Sequence, residues 1–117
     1  MNLADLMTAA ETVSRSYAGT HGIDRTDDWL VLKLNEEVGE LTQAYLARCG
    51  QSRRTATDED LDARFRAELA DVLAQVLLLA ARFGVDLQQE VSDSAGDGPV
   101  GVRATVARQR TDRRVAA

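Results

Sequence analysis

The chain has 117 residues, of which 44% are hydrophobic and only 4% are aromatic, and its formal net charge is −5. This length suits one small domain, and no apolar run reaches the roughly 18 residues that a membrane-spanning helix needs. The first residues lack the basic and apolar regions of a signal peptide, and the single cysteine, Cys49, offers no intrachain disulfide. We therefore expect a cytoplasmic protein that does not bind a membrane.

Charge is divided unevenly along the chain. Residues 1–95 carry 17 acidic and 9 basic side chains, whereas residues 96–117 carry 2 acidic and 5 basic ones. An acidic body disfavours a nucleic-acid duplex as a partner, so we expect no specific nucleic-acid binding. We interpret residues 1–95 as a helical domain and residues 96–117 as a Gly/Arg-rich, poorly ordered tail, with weak contact to nucleic acid as the alternative for the tail.

The first half of the chain predicts two helices separated by a loop. The first helix covers about residues 3–18, where apolar residues recur at spacings of three and four. Residues 19–28 are rich in Gly, Asp and Thr and predict a loop. Thr26 or Asp27 is suited to cap the second helix, which covers about residues 28–48. Its apolar stripe consists of Leu30, Leu34, Val38, Leu41 and Tyr45.

The second half predicts one long helix and then loses its regular pattern. Thr57 or Asp58 is suited to cap a third helix over about residues 59–83, and Gly84 to end it. Its apolar stripe consists of Leu61, Phe65, Val72, Val76, Leu79 and Phe83. Residues 85–93 predict one or two further helical turns. The pattern as a whole indicates an all-α helical bundle, and the short connection makes the second and third helices antiparallel neighbours.

Two features indicate that the bundle self-associates. Residues 72–81 are apolar on nearly every side, and three helices do not readily bury such a segment. Leu32, Gly39 and Leu46 recur at every seventh position, where the missing side chain of the glycine lets another backbone approach closely. We expect a homodimer or a homotetramer.

Acidic side chains lie beside both apolar stripes. Glu36, Glu37 and Glu40 fall close together on the second helix, and Glu68 and Asp71 share one face of the third. Carboxylates beside a core are costly unless a cation neutralises them. If the two helices face each other, the carboxylates converge and suit Mg²⁺, with Mn²⁺ as a possible substitute. Zinc prefers His and Cys ligands. The alternative is an ordinary solvated acidic face.

The two acidic segments also resemble a known family. The stretches "LKLNEEVGELTQAYL" and "ELADVLAQVLLLAARFGVDL" are similar to the EExxE and ExxD motifs of the MazG-like, all-α nucleoside triphosphate pyrophosphohydrolases, over roughly residues 28–87. The resemblance implies an oligomeric enzyme that uses Mg²⁺ to hydrolyse (d)NTP to the monophosphate and pyrophosphate. It implies that the metal ligands are Glu37, Glu40, Glu68 and Asp71. It places Glu36 beside them, where it binds a further ion or orients the attacking water.

Two other side chains on the second helix are candidates for substrate binding. Lys33 lies one turn before Glu37 and is suited to contact a phosphate, with an ion pair to Glu37 as the alternative. Trp29 is suited to stack on a nucleobase, as aromatic side chains do with bases. A tryptophan in the core or at an interface is the alternative.

The end of the chain departs from the family pattern. Members commonly continue into another helix with Lys, Arg or Asn near the phosphates, and residues 88–117 do not match it. We therefore expect basic contacts from Arg82, from the tail or from another subunit. Two other functions stay open: an enzyme like phosphoribosyl-ATP pyrophosphohydrolase, and a non-catalytic helical interaction module with a vestigial acidic groove.

Overall fold

The computed structural model describes residues 1–51 and 56–96, and within these ranges the protein is helical and contains no strand. The helices are α1 (Leu3–His21), α2 (Asp27–Arg48), α3 (Asp58–Phe83) and α4 (Leu87–Gly96). The prediction of an all-α fold is therefore confirmed. None of these described helices combines the length and the apolarity that crossing a membrane requires.

The chain divides into two units, and the first, residues 1–85, holds α1, α2 and α3. Helix α4 belongs to the second unit. It follows Asp86, whose carboxylate accepts a hydrogen bond of 3.0 Å from the backbone N–H of Gln89. The predicted tail lies, beyond Gly96, outside the described residues, so the predicted division at residue 95 stays a prediction.

Helix α1 is one turn longer than the sequence predicts. It begins with a reciprocal cap, in which the Asn2 side chain accepts from the Asp5 backbone at 2.9 Å and the Asp5 carboxylate accepts from the Asn2 backbone at 3.2 Å. The prediction ended the helix before Gly19, but Gly19 stays helical, and Gly22 ends the helix in the left-handed region at φ 62°. A single glycine lowers helix stability by only about 1 kcal/mol, which packing of the rest of α1 overcomes.

The bounds of α2 and α3 follow the predicted caps closely. Each helix begins after a threonine whose hydroxyl oxygen accepts from a backbone N–H: Thr26 from Trp29 at 3.1 Å, and Thr57 from Asp60 at 3.2 Å. The aspartates that were the alternative caps instead occupy the first helical positions, where the helix dipole favours negative charge. Gly84 ends α3 in the left-handed region at φ 65°, as predicted.

Helix α3 packs against both other helices of this unit, most extensively against α2. Near the beginning of α2, Asp27 accepts a 2.6 Å hydrogen bond from Arg82, which lies near the end of α3. Near the end of α2, Arg48 donates a 3.1 Å hydrogen bond to Asp62, which lies near the beginning of α3. Each end of α2 therefore lies beside the opposite end of α3.

The core is built from small and aliphatic side chains. The buried apolar residues are Ala18, Leu30, Ala44, Ala47, Leu61, Leu77, Leu78 and Ala80. Some residues of the predicted apolar stripes are exposed to solvent: Val38 is 43% exposed, Tyr45 46% and Phe83 57%. Because α3 contacts α1 as well as α2, its buried side is set by both neighbours and is shifted from the stripe that faces α2 alone.

The segment predicted to need a partner chain is covered only in part. Leu77 and Leu78 of residues 72–81 are buried within the chain, but Leu73 is 47% exposed. On α2, Leu32 is 67% exposed, and a Cβ added at Gly39 would meet no atom within 4 Å outside its own stretch of helix. No backbone of the described residues makes the close approach that the glycine pattern predicts, and self-association stays a prediction.

Candidate functional site

Three glutamates from two helices bring their carboxylates together. Glu37 and Glu40 lie on α2, one turn apart, and Glu68 lies on α3. Each offers one carboxylate oxygen, and the three oxygens lie within 4.8 Å of one another. All three side chains are half-buried. The packing of α2 against α3 places the two acidic motifs side by side and brings together three of the four carboxylates that were predicted to converge.

Asp71 lies at the margin of this glutamate cluster. It is exposed, and it is outside the group of three whose oxygens approach within 4.8 Å. Its charge nevertheless acts on the cluster, since it contributes to raising the pKa of both Glu37 and Glu68. Asp71 also shares with Glu37 the wall of a groove described below.

Burial and mutual repulsion make negative charge on the glutamate cluster energetically unfavourable. Burial, followed by the charge of Glu40, raises the pKa of Glu37 above its ordinary value, against the opposing effect of Lys33. Burial and then Glu40 likewise raise the pKa of Glu68, against the opposing effect of Arg64. Among the described residues, the Oε2 atoms of Glu37 and Glu68 are buried and have no hydrogen-bond partner. Such atoms are costly unless another group or ion neutralises them.

The chemistry of these ligands fits a hard divalent cation. The cluster offers carboxylate oxygens alone, which Mg²⁺, Mn²⁺ and Ca²⁺ prefer, and it contains neither the imidazole nor the thiolate that zinc prefers. Two of its oxygens are buried and unpartnered, so a cation would give them the partner that the described protein atoms do not. The residues present therefore fit the metal that the sequence motifs imply.

Lys33 and Glu36 form an ion pair at the edge of the cluster. Lys33 Nζ lies 3.2 Å from Glu36 Oε1 and 3.6 Å from Glu37 Oε1, and it lies 5.4 Å from the centre of the Tyr17 ring. Burial lowers the pKa of Lys33, but the hydrogen bond to Glu36 and the two carboxylate charges outweigh it and raise the pKa. Lys33 is therefore held as an ammonium, while the Glu36 side chain is 56% exposed.

A groove of about 500 Å³ leads away from the carboxylates between α1, α2 and α3. Glu37, Asp71 and Lys33 lie in its wall together with Trp29, and most of the remaining lining is apolar. The two residues predicted to bind substrate thus line the same groove as two of the predicted metal ligands. The alternative interpretations of these two residues also agree in part with the structure. Lys33 makes the ion pair with Glu37, and Trp29 is half-buried, as a tryptophan near the core would be.

Two parts of the site differ from the sequence interpretation. Arg82, a candidate for phosphate contacts, instead donates to the Asp27 carboxylate and to the backbone carbonyl of Arg25, where it ties the end of α3 to the beginning of α2. The contribution of α1 was not foreseen, yet Tyr17 and Ser14 line the groove. The apolar face of α1 was visible in its spacing, but spacing does not tell which helices that face will contact.

No family model, curated protein or solved structure matches this chain. The likeness of the two acidic segments to MazG-like enzymes therefore stays a prediction from the sequence. The positions of the carboxylates, the ion pair and the groove are observations on this chain alone, and they stand independently of that likeness.

Proposed function

We propose that this protein is a divalent-cation-dependent hydrolase that cleaves (d)NTP to (d)NMP and pyrophosphate, on an antiparallel pair formed by α2 and α3. One observation carries the proposal. Oxygens of Glu37, Glu40 and Glu68 converge to within 4.8 Å of one another, and Glu37 also lies in the wall of a groove of about 500 Å³. A groove of this volume accommodates a small organic ligand, and its carboxylate end suits the cation that a triphosphate carries.

The cation would be held by Glu37, Glu40 and Glu68, with Asp71 from the same face of α3 as the fourth ligand. When bound, a divalent cation supplies charge neutralisation for the phosphate oxygens and acidifies coordinated water. The buried, unpartnered Oε2 atoms of Glu37 and Glu68 support this assignment, because they are oxygens for which no described protein group provides a hydrogen bond.

The remaining charged groups of the site handle phosphate and proton. Lys33 is an ammonium in the groove wall, so it donates hydrogen bonds to a phosphate oxygen of the bound triphosphate. Glu36 is then freed from its 3.2 Å contact with Lys33 and accepts a proton from the attacking water. That water bonds to the α-phosphorus, the bond to the oxygen that bridges to the β-phosphorus breaks, and pyrophosphate leaves.

The groove beyond the carboxylates is the place for the nucleoside. Its lining is mainly apolar and includes the indole of Trp29 and the ring of Tyr17. A nucleobase presents flat π faces that stack on aromatic side chains, and an apolar groove removes those faces from water. In this arrangement the phosphates lie at Lys33 and the base lies along α1 and α3.

We also propose that the protein acts as a homo-oligomer in a reducing compartment such as the cytoplasm. Leu73 and Leu32 are 47% and 67% exposed, and a second copy is the simplest group to cover such side chains. Cys49 is a free and exposed thiol, which accords with a reducing setting.

The test is pyrophosphate release from purified protein with Mg²⁺ and a panel of dNTPs, NTPs and phosphoribosyl-ATP. We expect release from at least one nucleoside triphosphate, abolished by EDTA and restored by excess Mg²⁺. Activity on phosphoribosyl-ATP alone would favour the related enzyme instead. No release from any substrate, by protein that is folded by circular dichroism, would favour the interaction module.

A further inference from the structure

Two buried polar side chains line the same groove from opposite helices. Among the described residues, Ser14 on α1 and Gln75 on α3 are the buried residues with polar side chains, at 9% and 6% exposure. Both belong to the lining of the groove that also contains Trp29. Buried polar groups are normally satisfied by hydrogen bonds within the protein. The hydrogen bonds that Ser14 and Gln75 already make therefore show which of their polar atoms are left to bind a ligand.

The carboxamide of Gln75 is held by one hydrogen bond. Its Nε2 donates to the backbone carbonyl of Leu30 at 3.0 Å. Because a carbonyl only accepts, the nitrogen must face Leu30, and this fixes the orientation of the amide and leaves Oε1 on the other side. Oε1 has no partner among the described residues, and it is not one of the buried atoms sealed from solvent without a partner. Since Gln75 lines the groove, this oxygen keeps an unused hydrogen-bonding capacity there.

The hydroxyl of Ser14 is also unused. The three threonine hydroxyls of α1, at Thr8, Thr12 and Thr20, donate to the carbonyl one turn earlier at 3.0–3.1 Å. Ser14 makes no such bond within the described residues, and its oxygen is not among the sealed, unpartnered atoms. Like Gln75 Oε1, it keeps a free hydrogen-bonding group in a largely apolar groove.

We infer that Ser14 and Gln75 read the hydrogen-bonding edge of the nucleobase, an inference that rests on the proposed function. Gln75 lies four residues beyond Asp71 on α3, a rise of roughly 6 Å away from the carboxylates along the helix axis. Its Oε1 accepts only, so it selects a base edge with an amino or ring N–H donor. The Ser14 hydroxyl both donates and accepts, so it pairs with the neighbouring position of that edge.

The kinetic test compares Gln75→Met and Ser14→Ala with two matched controls, Gln43→Met and Ser16→Ala, whose native side chains are exposed. kcat/KM is measured for four dNTPs that differ only in the base. We expect the native protein to prefer one base by about tenfold or more, because a site built to hydrogen-bond a group rejects analogues that lack it. The preference should fall to within about threefold in either groove variant and persist in both controls.

A sugar hydroxyl is the other donor that a nucleoside offers. It is tested with deoxy and dideoxy forms of the preferred nucleotide. If the groove variants change discrimination between these sugars and leave base preference intact, the assignment to the base is overturned. If Gln75→Met melts below the assay temperature, Ser14→Ala decides, because it removes a single oxygen atom and very little side-chain volume.

A binding test separates this inference from the proposed reaction. Trp29 is the only tryptophan and lines the groove, so its fluorescence reports on groove occupancy when nucleoside monophosphates are titrated without metal. Base-dependent quenching that is lost in Gln75→Met supports the inference even if no hydrolysis is found. Hydrolysis with a base preference unchanged in Gln75→Met and Ser14→Ala overturns the inference and leaves the reaction standing. If neither quenching nor hydrolysis is observed, both the inference and the proposed reaction are overturned.

Discussion

Glu37 on α2 and Glu68 on α3 each bury one carboxylate oxygen, Oε2, for which no described residue provides a hydrogen bond. An oxygen of each also lies within 4.8 Å of the other and of Glu40. Like charges in a half-buried position repel and are poorly solvated, so this arrangement lowers the stability of the protein unless a cation joins it. The first prediction tests that conclusion.

Divalent cations should stabilise the fold. An ion that binds only the native state adds stability by mass action, roughly 1.4 kcal/mol when its concentration is ten times Kd, which is several degrees in Tm for a domain of this size. Differential scanning fluorimetry with millimolar Mg²⁺ or Mn²⁺ against EDTA measures the shift. Glu68→Gln should melt no lower than the parent in EDTA, because it relieves repulsion, and should lose most of the shift.

Glu59→Gln is the matched control, since it removes the same charge from an exposed position in the first turn of α3. It should keep the full metal-dependent shift. An equal Tm for the native protein in EDTA and in either cation would show that the glutamates do not form a metal site.

Glu40→Gln and Asp71→Asn should separate catalysis from folding. Each keeps the shape of the side chain and removes one charge, so each variant should fold, yet lose at least about a hundredfold in pyrophosphate release, because a displaced cation no longer aligns the reacting groups. The double variant should lose far less than the product of the two single losses, since groups that act as a unit are not additive. Full activity in both single variants would place the chemistry elsewhere.

The clamp between Glu11 and Arg25 should matter far more than the neighbouring pair with Arg15. Arg25 donates two hydrogen bonds of 2.7 and 2.8 Å to the two oxygens of Glu11, and its side chain is 16% exposed. Arg15 also bonds Glu11 at 2.7 Å but is 73% exposed. We expect Arg25→Gln to lower the free energy of unfolding by about 2 kcal/mol, and Arg15→Gln by less than about 0.5 kcal/mol. Urea denaturation measures both free energies, and equal losses would contradict the prediction that the pair with Arg25 is the more stabilising one.

Glu11 should make the protein sensitive to acid. The hydrogen bond from Arg25 is the main cause that lowers the pKa of Glu11 from its ordinary 4.5 to about 2. A lowered folded-state pKa means that the unfolded chain takes up the proton first, so this contribution to stability is complete above 4.5 and is lost as the pH falls from 4.5 to about 2. In thermal melts across this pH range, the Tm of the native protein should fall towards that of Glu11→Gln. A constant difference between the two would contradict the prediction.

Self-association should be weakened by a substitution at Leu73, whereas a substitution at Leu77 cannot test it. Leu77 is 2% exposed within one chain, so Leu77→Glu buries an unpaired charge and should unfold the protein whatever its oligomeric state. Leu73 is 47% exposed, so Leu73→Glu should leave the helix content intact and dissociate an oligomer that uses this face. Light scattering should give at least twice the 12.7 kDa mass of one chain for the native protein, and a native monomer at micromolar concentration would end the proposal.

Much of the local structure follows from the sequence because its signals are local. The spacing of apolar residues, the threonine caps Thr26 and Thr57 and the terminal Gly84 predicted three helices to within a few residues. Helical periodicity also placed Glu37 and Glu40 on one face and Glu68 and Asp71 on another, which is enough to predict that they converge if the helices pack. The exception is Gly19, which did not end α1, because packing of the helix outweighs the small helical cost of one glycine.

Only the tertiary structure decided which groups meet across helices. That Ser14 of α1 and Gln75 of α3 line one groove, and that Arg82 turns to Asp27 rather than towards the carboxylates, depends on how three helices pack. Periodicity reports which side of a helix is apolar, but not which neighbour covers it or how far that neighbour is shifted along its axis. The unpartnered oxygens of Glu37 and Glu68 arise in the same way, since the sequence determines the charge of each carboxylate, while its burial depends on the other helix.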